Sequence, residues 1–376
     1  MSATSEEPAA TVASRSALHV VVPAAMHDPS EPSGGNTYDR RLIEALTAQG
    51  QVVDEHAIPG TWPYPAPGEH SRLDDCLARI PAGAVVLLDG LVAGPSPTEL
   101  LRHSGRLYVV IVVHLPLGEE ARTTPGADPV PLEAGEGRAV RAAHAVITPS
   151  AWGARRVVEL YGVAPHRVHV VAPGTDPAPV SEGTDGAHQL VCVASVTPVK
   201  GQDVLVDALA TVREHPWSCR LLGSLQRAPR FVTHVRERRD RAGLTSRIQL
   251  GGACSDSELS QHYDTADLVL LGSRVESFGM VVGEALARGI PMVAPAVGGL
   301  PEAMGHAPDG SRPGLLVPAA DARSLARALR RWFTGETLRH RLRTSALRRR
   351  DTLSGWQRAA RGVVGVTEHV VRQKES

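Results

Sequence analysis

Residues 273–291, "SRVESFGMVVGEALARGIP", hold two carboxylates eight positions apart, Glu276 and Glu284. The first lies in a loop behind the apolar run "LVLLGS"; the second falls inside an alanine-bearing run that should be helical. A strand-to-helix turn of this kind leaves the backbone N–H groups near Gly279, Met280 and Val281 without intrahelical partners. The helix dipole adds to their attraction for an anion. Gly279 lets a ligand approach the backbone closely. Flanking such a site, both carboxylates can accept hydrogen bonds from the hydroxyls of a sugar whose phosphate rests between them. The chemistry indicated is recognition of a phosphorylated, hydroxyl-rich small molecule.

Further polar positions stand at the ends of apolar runs. Lys200 is one of only two lysines in a chain with 38 arginines. It follows a strand-like run and precedes a helical one, so an isolated ammonium there reads as directed at a ligand. Gly34 and Gly35 head the run "GGNTYDRRLIEALTAQG", where a glycine pair lets backbone reach a diphosphate across a cleft. His114 ends "LYVVIVVH" and Asp89 ends "VVLLDG". Each has a plain alternative: a satisfied structural histidine in one case, a turn-forming Asp-Gly in the other. The loop "PGTWPYPAPGEH" (59–70) sets Trp62 and Tyr64 among prolines, either as a rigid connector or as an aromatic platform for an acceptor. No Asp-x-Asp pair or histidine cluster has metal-ligand spacing, and no essential metal or cofactor is expected.

These positions need a scaffold that gathers strand-to-helix loops. Twelve short β-branched runs alternate with helical patterns. They cover 19–24, 51–58, 84–90, 107–114, 145–150 and 168–174, then 190–195, 219–224, 247–252, 268–273, 291–296 and 314–319. Most lack polar alternation, as strands buried on both faces of a parallel sheet do. Helix ends are punctuated: Ser150 as N-cap of "SAWGARRVVELYG" with Gly162 beyond it, "SDSE" (255–258) as a capping box, Gly289 and Pro291 closing "EALARG". The rhythm predicts an α/β protein of two doubly wound, Rossmann-like domains. We place them at 17–178 and 189–350, joined by a linker at 179–188 within the Gly-, Pro- and Asp-rich stretch 172–188. Residues 351–376 should form a helix crossing back to the first domain, and the arginines of 323–350 a solvated face. In doubly wound sheets ligands gather outside the carboxyl ends of the strands, where the candidate loops fall.

At 376 residues, 42% apolar and 21% charged, the chain has the composition of a soluble globular protein of two domains. Its formal charge is zero but unevenly spread. Residues 1–180 carry 13 basic against 20 acidic side chains, and residues 181–376 carry 27 against 20. The basic half suits an anion; the acidic half, with no lysine, disfavours anionic lipid. The arginine excess reads as coding bias, not as a nucleic-acid surface. Cys76, Cys192, Cys219 and Cys254 form no C-x-x-C pair and read as buried thiols in a reducing compartment. "MSATSEEPAATVASRS" (1–16) reads as a disordered tail without signal-peptide character. No run approaches the roughly 18 apolar residues of a spanning helix. A cytoplasmic location without membrane insertion is expected.

"ESFGMVVGEALARGIPMVAPAVGGLPE" resembles the E-x7-E segment of the family-four retaining glycosyltransferases of GT-B fold. "VASVTPVKGQDVLVDAL" (193–209) is similar to that family's "GRL…KG" segment, "ITPSAWGARRVVELYGVAPHRVHVVAPGTD" to its inter-domain run, and "SGGNTYDRRLIEALTAQG" (33–50) to its glycine loop and first helix. The resemblance implies an acceptor-binding first domain and a second domain binding a nucleotide sugar, with the two facing a central cleft. It implies that Glu284 binds the donor ribose and that Glu276 faces the transferred sugar. Backbone N–H groups of Ser277, Phe278 and Gly279 would lie near that sugar, with Met280 and Val281 contacting the diphosphate. Lys200 would neutralise the leaving group, and His114 would lie near the donor sugar. Ser195 stands where the family pattern carries an arginine, so Arg274, Arg227 or Arg230 would supply the replacement cation. The activity implied is transfer of a hexose, from a UDP-sugar above all; the acidic first half points to a small soluble acceptor bearing amines, a specialised metabolite, with Asp89 and Trp62 as its candidate contacts. A nucleotide-sugar epimerase on the same plan, or a non-catalytic sugar-nucleotide-binding subunit, is the alternative. A nicotinamide dehydrogenase is disfavoured, because "AMHDPSEPSGG" follows the first strand where a GxGxxG turn would stand. The oligomeric state is left open.

Overall fold

The computed structural model describes residues 17–28, 32–124, 126–184 and 187–375. The tail expected over 1–16 lies outside them. The N-terminal lobe runs β1 (Leu18–Pro23), α1 (Gly34–Ala48), β2 (Val53–Ile58), α2 (Pro67–Arg79), β3 (Val85–Asp89), α3 (Gly90–Ala93) and α4 (Pro97–His103). It continues with β4 (Tyr108–Val112), α5 (Leu117–Thr123), α6 (Pro129–Ala142), β5 (Ala145–Thr148), α7 (Ala151–Tyr161) and β6 (Val168–Val170). The C-terminal lobe runs β7 (Gln189–Val193), α8 (Gln202–Ala210), β8 (Ser218–Leu222), α9 (Pro229–Arg241), β9 (Ile248–Gly252), α10 (Asp256–Asp264), β10 (Leu268–Leu270) and α11 (Met280–Ala287). Then come β11 (Met292–Pro295), α12 (Leu300–Met304), β12 (Gly314–Val317), α13 (Ala322–Thr334), α14 (Glu336–Arg350) and α15 (Trp356–Glu375). Each of the twelve apolar runs is a strand.

All strand pairs are parallel, in two six-stranded sheets ordered β2-β1-β3-β4-β5-β6 and β12-β11-β10-β7-β8-β9. The central strands are apolar because helices cover both faces: β1, β5, β10 and β11 are buried throughout. Strand order reverses between β1 and β3 in the first sheet and between β7 and β10 in the second. Crevices for ligands open at such reversals. The ends of these four strands and the turns into the helices that follow carry Gly34–Gly35, Asp89, Ser195–Lys200 and Arg274–Gly279. His114 follows β4, next to β3 in the sheet.

One polar interruption needs its own account. His19 on β1 is buried, yet its Nδ1 lies 3.0 Å from His56 Nε2 and 3.2 Å from Asp54 on the neighbouring strand. That partnership satisfies the ring at the edge of the sheet.

Helix α15 leaves the C-terminal lobe and packs on α1. Its Trp356, Ala359, Ala360, Val363, Val366 and Val370 complete the core built from Leu18, Val20, Tyr38, Leu42 and Leu46. The chain passes between lobes at two adjacent points. Thr175 N–H donates to Ser354 O at 2.8 Å, and Gly174 packs so closely on Trp356 that a Cβ would lie 2.2 Å from its nitrogen. Beyond this crossing the connecting segment is stitched to the second lobe. Ser181 is buried, with Oγ donating to Tyr263 O at 2.8 Å, and Thr184 N–H donates to Asp267 at 2.6 Å.

The arginines of α14 are not merely solvated, as the sequence suggested. Arg343 donates to Ser181 O, Arg349 to Met304 O, and Arg350 to Ala287 O and Ala178 O. They cap orphan carbonyls and bind the connector to its lobe. Among the described residues no helix is long and apolar enough to cross a membrane.

Candidate active site

The loop after β7 ends in a 3-10 turn, Pro198–Lys200, and turns into α8 through Gly201 at φ +61°. A Cβ on Gly201 would lie 2.1 Å from Gly272 O, so only glycine lets this loop meet the loop after β10. Arg274 locks the two together. Its N–H donates to Val199 O at 2.8 Å, and its guanidinium donates to Pro198 O at 2.6 Å and to both oxygens of Asp203 at 3.0 and 2.6 Å. This corrects one expectation: Arg274 is committed to a bidentate carboxylate and braces the Lys200 turn, so it is not a free cation for a diphosphate. Arg227, on the loop after β8, and Arg230, in the first turn of α9, are exposed and have no ion-pair partner among the described residues.

With the turn braced, Lys200 Nζ lies 2.5 Å from Glu276 Oε2, and Ser273 Oγ lies 3.3 Å from the same oxygen. Residues 76 positions apart thus form one part-buried ion pair at the carboxyl edge of β7 and β10. Beside it, the N–H groups of Ser277, Phe278, Gly279, Met280 and Val281 donate to no acceptor among the described residues. Ser277 Oγ is likewise buried without a partner. Gly279 sits at φ +83° as the N-cap of α11 and directs these amides ahead of the helix. The turn is held from behind by Gly298 and Gly299, which the sequence reading passed over. Gly299 N–H donates to Glu276 O at 2.9 Å, and a Cβ on Gly298 would lie 1.7 Å from that oxygen. Any side chain at 298 would push the Glu276 loop out of place.

Glu284 lies one turn further along α11 and accepts from Tyr263 Oη at 2.9 Å. Burial raises its carboxyl above the ordinary range, opposed by the Tyr263 hydrogen bond and by Arg288. It lines a cavity of about 560 Å³ between the lobes, bounded by Thr37, Arg40 and Arg41 of α1, Thr175 and Asp176 of the crossing, and Asp256 and Leu259 of α10. Burial of one carboxylate oxygen against a phenol leaves the other available for a ligand hydroxyl.

On the opposite wall, Ser33 caps α1 by accepting from Asn36 N–H at 3.1 Å, and the exposed Gly34 opens the helix. A Cβ on Gly35 would stand 3.2 Å from His114 Cδ2, so the glycine loop and His114 are in contact distance. Ser195 Oγ donates to Pro32 O at 3.2 Å, bringing the two lobes' loops together. His114 Nε2 lies 3.0 Å from Asp39 Oδ1 and 3.9 Å from Asp89 Oδ2. Asp89 is buried and caps α3, accepting from Leu91 N–H at 2.6 Å. Asp39 had no local signal in the sequence, since its partner is 75 positions away.

Trp62 departs from expectation. Its indole N–H donates to Ile58 O at 3.2 Å, and its ring packs on the core of the first lobe and edge-on to His70. It anchors the connector behind β2, and Tyr64, 63% exposed, is the aromatic ring of that loop left in solvent.

Two parallel Rossmann-like sheets whose strand reversals face one another define the GT-B class of fold. Residues 179–349 match the model for glycosyl transferases group 1, and residues 91–179 match that for glycosyltransferase family 4. Among solved structures, sucrose-phosphate synthase from Thermosynechococcus elongatus superposes with a TM-score of 0.75 at 21% identity, over 95% of this chain and 99% of that one. Anabaena HepE in complex with UDP-glucose gives 0.71 at 16% identity, over 96% and 99%. These likenesses establish the fold. Two relatives named D-inositol 3-phosphate glycosyltransferase are also similar. The one from Jonesia denitrificans is 31% identical over 66% of this chain and 63% of its own length. The one from Kineococcus radiotolerans is 33% identical over 64% and 60%. The matched region thus spans less than two thirds of either relative. The chain belongs to the group 1, family 4 glycosyltransferases.

Proposed function

We propose that the protein is a retaining glycosyltransferase that moves a hexose from a nucleoside diphosphate sugar, of the UDP type, to a small soluble metabolite bearing hydroxyls or amines. One observation carries the reading: the Lys200–Glu276 pair adjoins five free amides, with Glu284 in a cavity one helical turn away. In this reading the diphosphate occupies the amides and draws the Lys200 ammonium, Glu284 takes the ribose, and Glu276 faces the hexose. Departure of the sugar as an oxocarbenium-like species leaves negative charge on the diphosphate. Preorganised N–H groups and a cation stabilise that charge where it develops. The leaving phosphate oxygen takes the acceptor's proton on the same face, which gives retention. No cofactor or metal is needed for this sequence of events. The HepE complex with UDP-glucose and the relatives that glycosylate an inositol phosphate by name support the donor type and a small polar acceptor.

A thermal-shift panel of UDP-, ADP-, GDP- and TDP-sugars tests the donor. Binding to the folded state alone stabilises it by RT ln(1 + [L]/Kd), about 2.7 kcal/mol at a hundredfold excess over Kd. A selective rise with the UDP-sugar is expected. A flat response to all four contradicts the proposal. Product analysis with donor alone separates a transferase from an epimerase, since only the latter converts its donor to another sugar nucleotide.

A further inference from the structure

Asp39, Asp89 and His114 bring three titratable groups together in the N-terminal lobe. Asp39 and Asp89 are 4% and 2% exposed. With all three ionised the cluster would hold two negative charges against one positive, an excess that burial makes costly. The geometry shows how that excess is removed. Asp39 spends Oδ1 on His114, and Asp89 is engaged by Leu91 N–H through Oδ1. The remaining Oδ2 of each is buried without a donor. One oxygen of each carboxyl and a ring nitrogen of His114 lie within 4.8 Å of one another. A single proton on Asp89 would satisfy the pair as an O–H···O bond, leaving one negative charge, on Asp39, against the imidazolium. The titration directions agree. Burial, then the Asp39 charge, raises Asp89 well above the carboxylate range. Burial alone would lower the His114 value, but the Asp39 charge and hydrogen bond outweigh it and lift it from 6.5 to about 9.

The ring is placed to use this charge. Its Nδ1 has no hydrogen-bond partner among the described residues, while Cδ2 faces Gly35 and the Tyr38 ring packs in a T-shape with a centroid separation of 5.1 Å. Helix α5, three residues on, touches the 3-10 turn that carries Lys200. His114 and Lys200 therefore flank the same cleft from opposite lobes.

We propose that Asp39 and Asp89 are positioning residues which share one proton and hold His114 as an imidazolium, its Nδ1–H offered to the anionic donor as the N-terminal lobe's own cation. The part concerning the donor rests on the transferase reading; the proton arrangement does not. It also adds a cation from the first lobe where Arg274 of the second is engaged by Asp203.

The test is an imidazole titration by 1H–15N correlation spectroscopy on the full chain, with the His114 resonance assigned by its loss in His114→Gln. In the wild type, His114 should stay doubly protonated through pH 8 and titrate near 9. Asp39→Asn, nearly isosteric, should bring the midpoint down, because the hydrogen-bonded charge is lost and only the more distant Asp89, 3.9 Å away, still opposes burial. Asp89→Asn should keep it high, since an amide N–H donates to Asp39 as the acid would. A wild-type midpoint at or below 6.5, or one unmoved by Asp39→Asn, overturns the proposal. Should Asp39→Asn fail to fold by circular dichroism, the wild-type and Asp89→Asn titrations still decide. The same variants link the cluster to turnover: donor consumption should fall through about pH 9 in the wild type and through a lower pH in Asp39→Asn. A high midpoint with no response of the resonance to any nucleotide sugar would sink the transferase reading while leaving the proton arrangement intact.

Discussion

Lys200→Ala should lower sugar transfer by about two to three orders of magnitude, the loss typical when one preorganised donor to developing charge is removed. The ammonium is held at Glu276, which directly precedes the free amides of 277–281, and Arg274 cannot move in to replace it without abandoning Asp203. Affinity for the nucleotide should also fall, so both kcat and KM are expected to suffer, with the larger part in kcat. The fold should be unaffected. Lys200 holds no backbone carbonyl through its side chain, and the turn beneath it is fastened by Arg274. Turnover within threefold of wild type would remove Lys200 from the machinery.

Glu276→Gln should have a comparable effect on turnover with the opposite effect on product affinity. In the structure Glu276 is the counter-ion of Lys200 at 2.5 Å, so an incoming diphosphate must compete with it. An amide at 276 removes that competitor and frees the ammonium. Binding of the bare nucleoside diphosphate should therefore hold or strengthen, while transfer falls by about a hundredfold or more for want of a carboxylate facing the hexose. Isothermal titration and steady-state kinetics on the same preparation read both quantities. Parallel losses in affinity and rate would mean that Glu276 serves the turn's structure more than the sugar.

The architecture was legible because parallel strands buried on both faces must be apolar throughout, and twelve such runs stand out against polar loops. Helix ends were legible for a similarly local reason. Ser150 accepts from Gly153 N–H at 3.0 Å, Gly162 adopts φ +62°, and Ser255 and Glu258 form their reciprocal box. The meeting of Lys200 with Glu276 followed from knowing that strand-to-helix loops share one edge of a sheet. Side-chain partnerships across the fold had no such local signature. Asp203 is an acid in the first turn of α8, and nothing local tells that it engages the guanidinium of Arg274. Asp39 sits in a charged helix, yet it turns inward to His114. Trp62 carries no sequence mark that says which way its ring faces, and the carbonyl of Ile58 decides it. Gly298 and Gly299 carried no such signature either. Their purpose emerges only where the Glu276 carbonyl approaches closer than a methyl group would allow.

The most direct test is a crystal structure of the protein with the nucleoside diphosphate that wins the thermal-shift panel. The diphosphate should lie within hydrogen-bond distance of Lys200 Nζ and of the N–H groups between Gly279 and Val281, with the ribose hydroxyls on Glu284. A nucleotide bound elsewhere, with the Lys200–Glu276 pair undisturbed and those amides still free, would contradict the account.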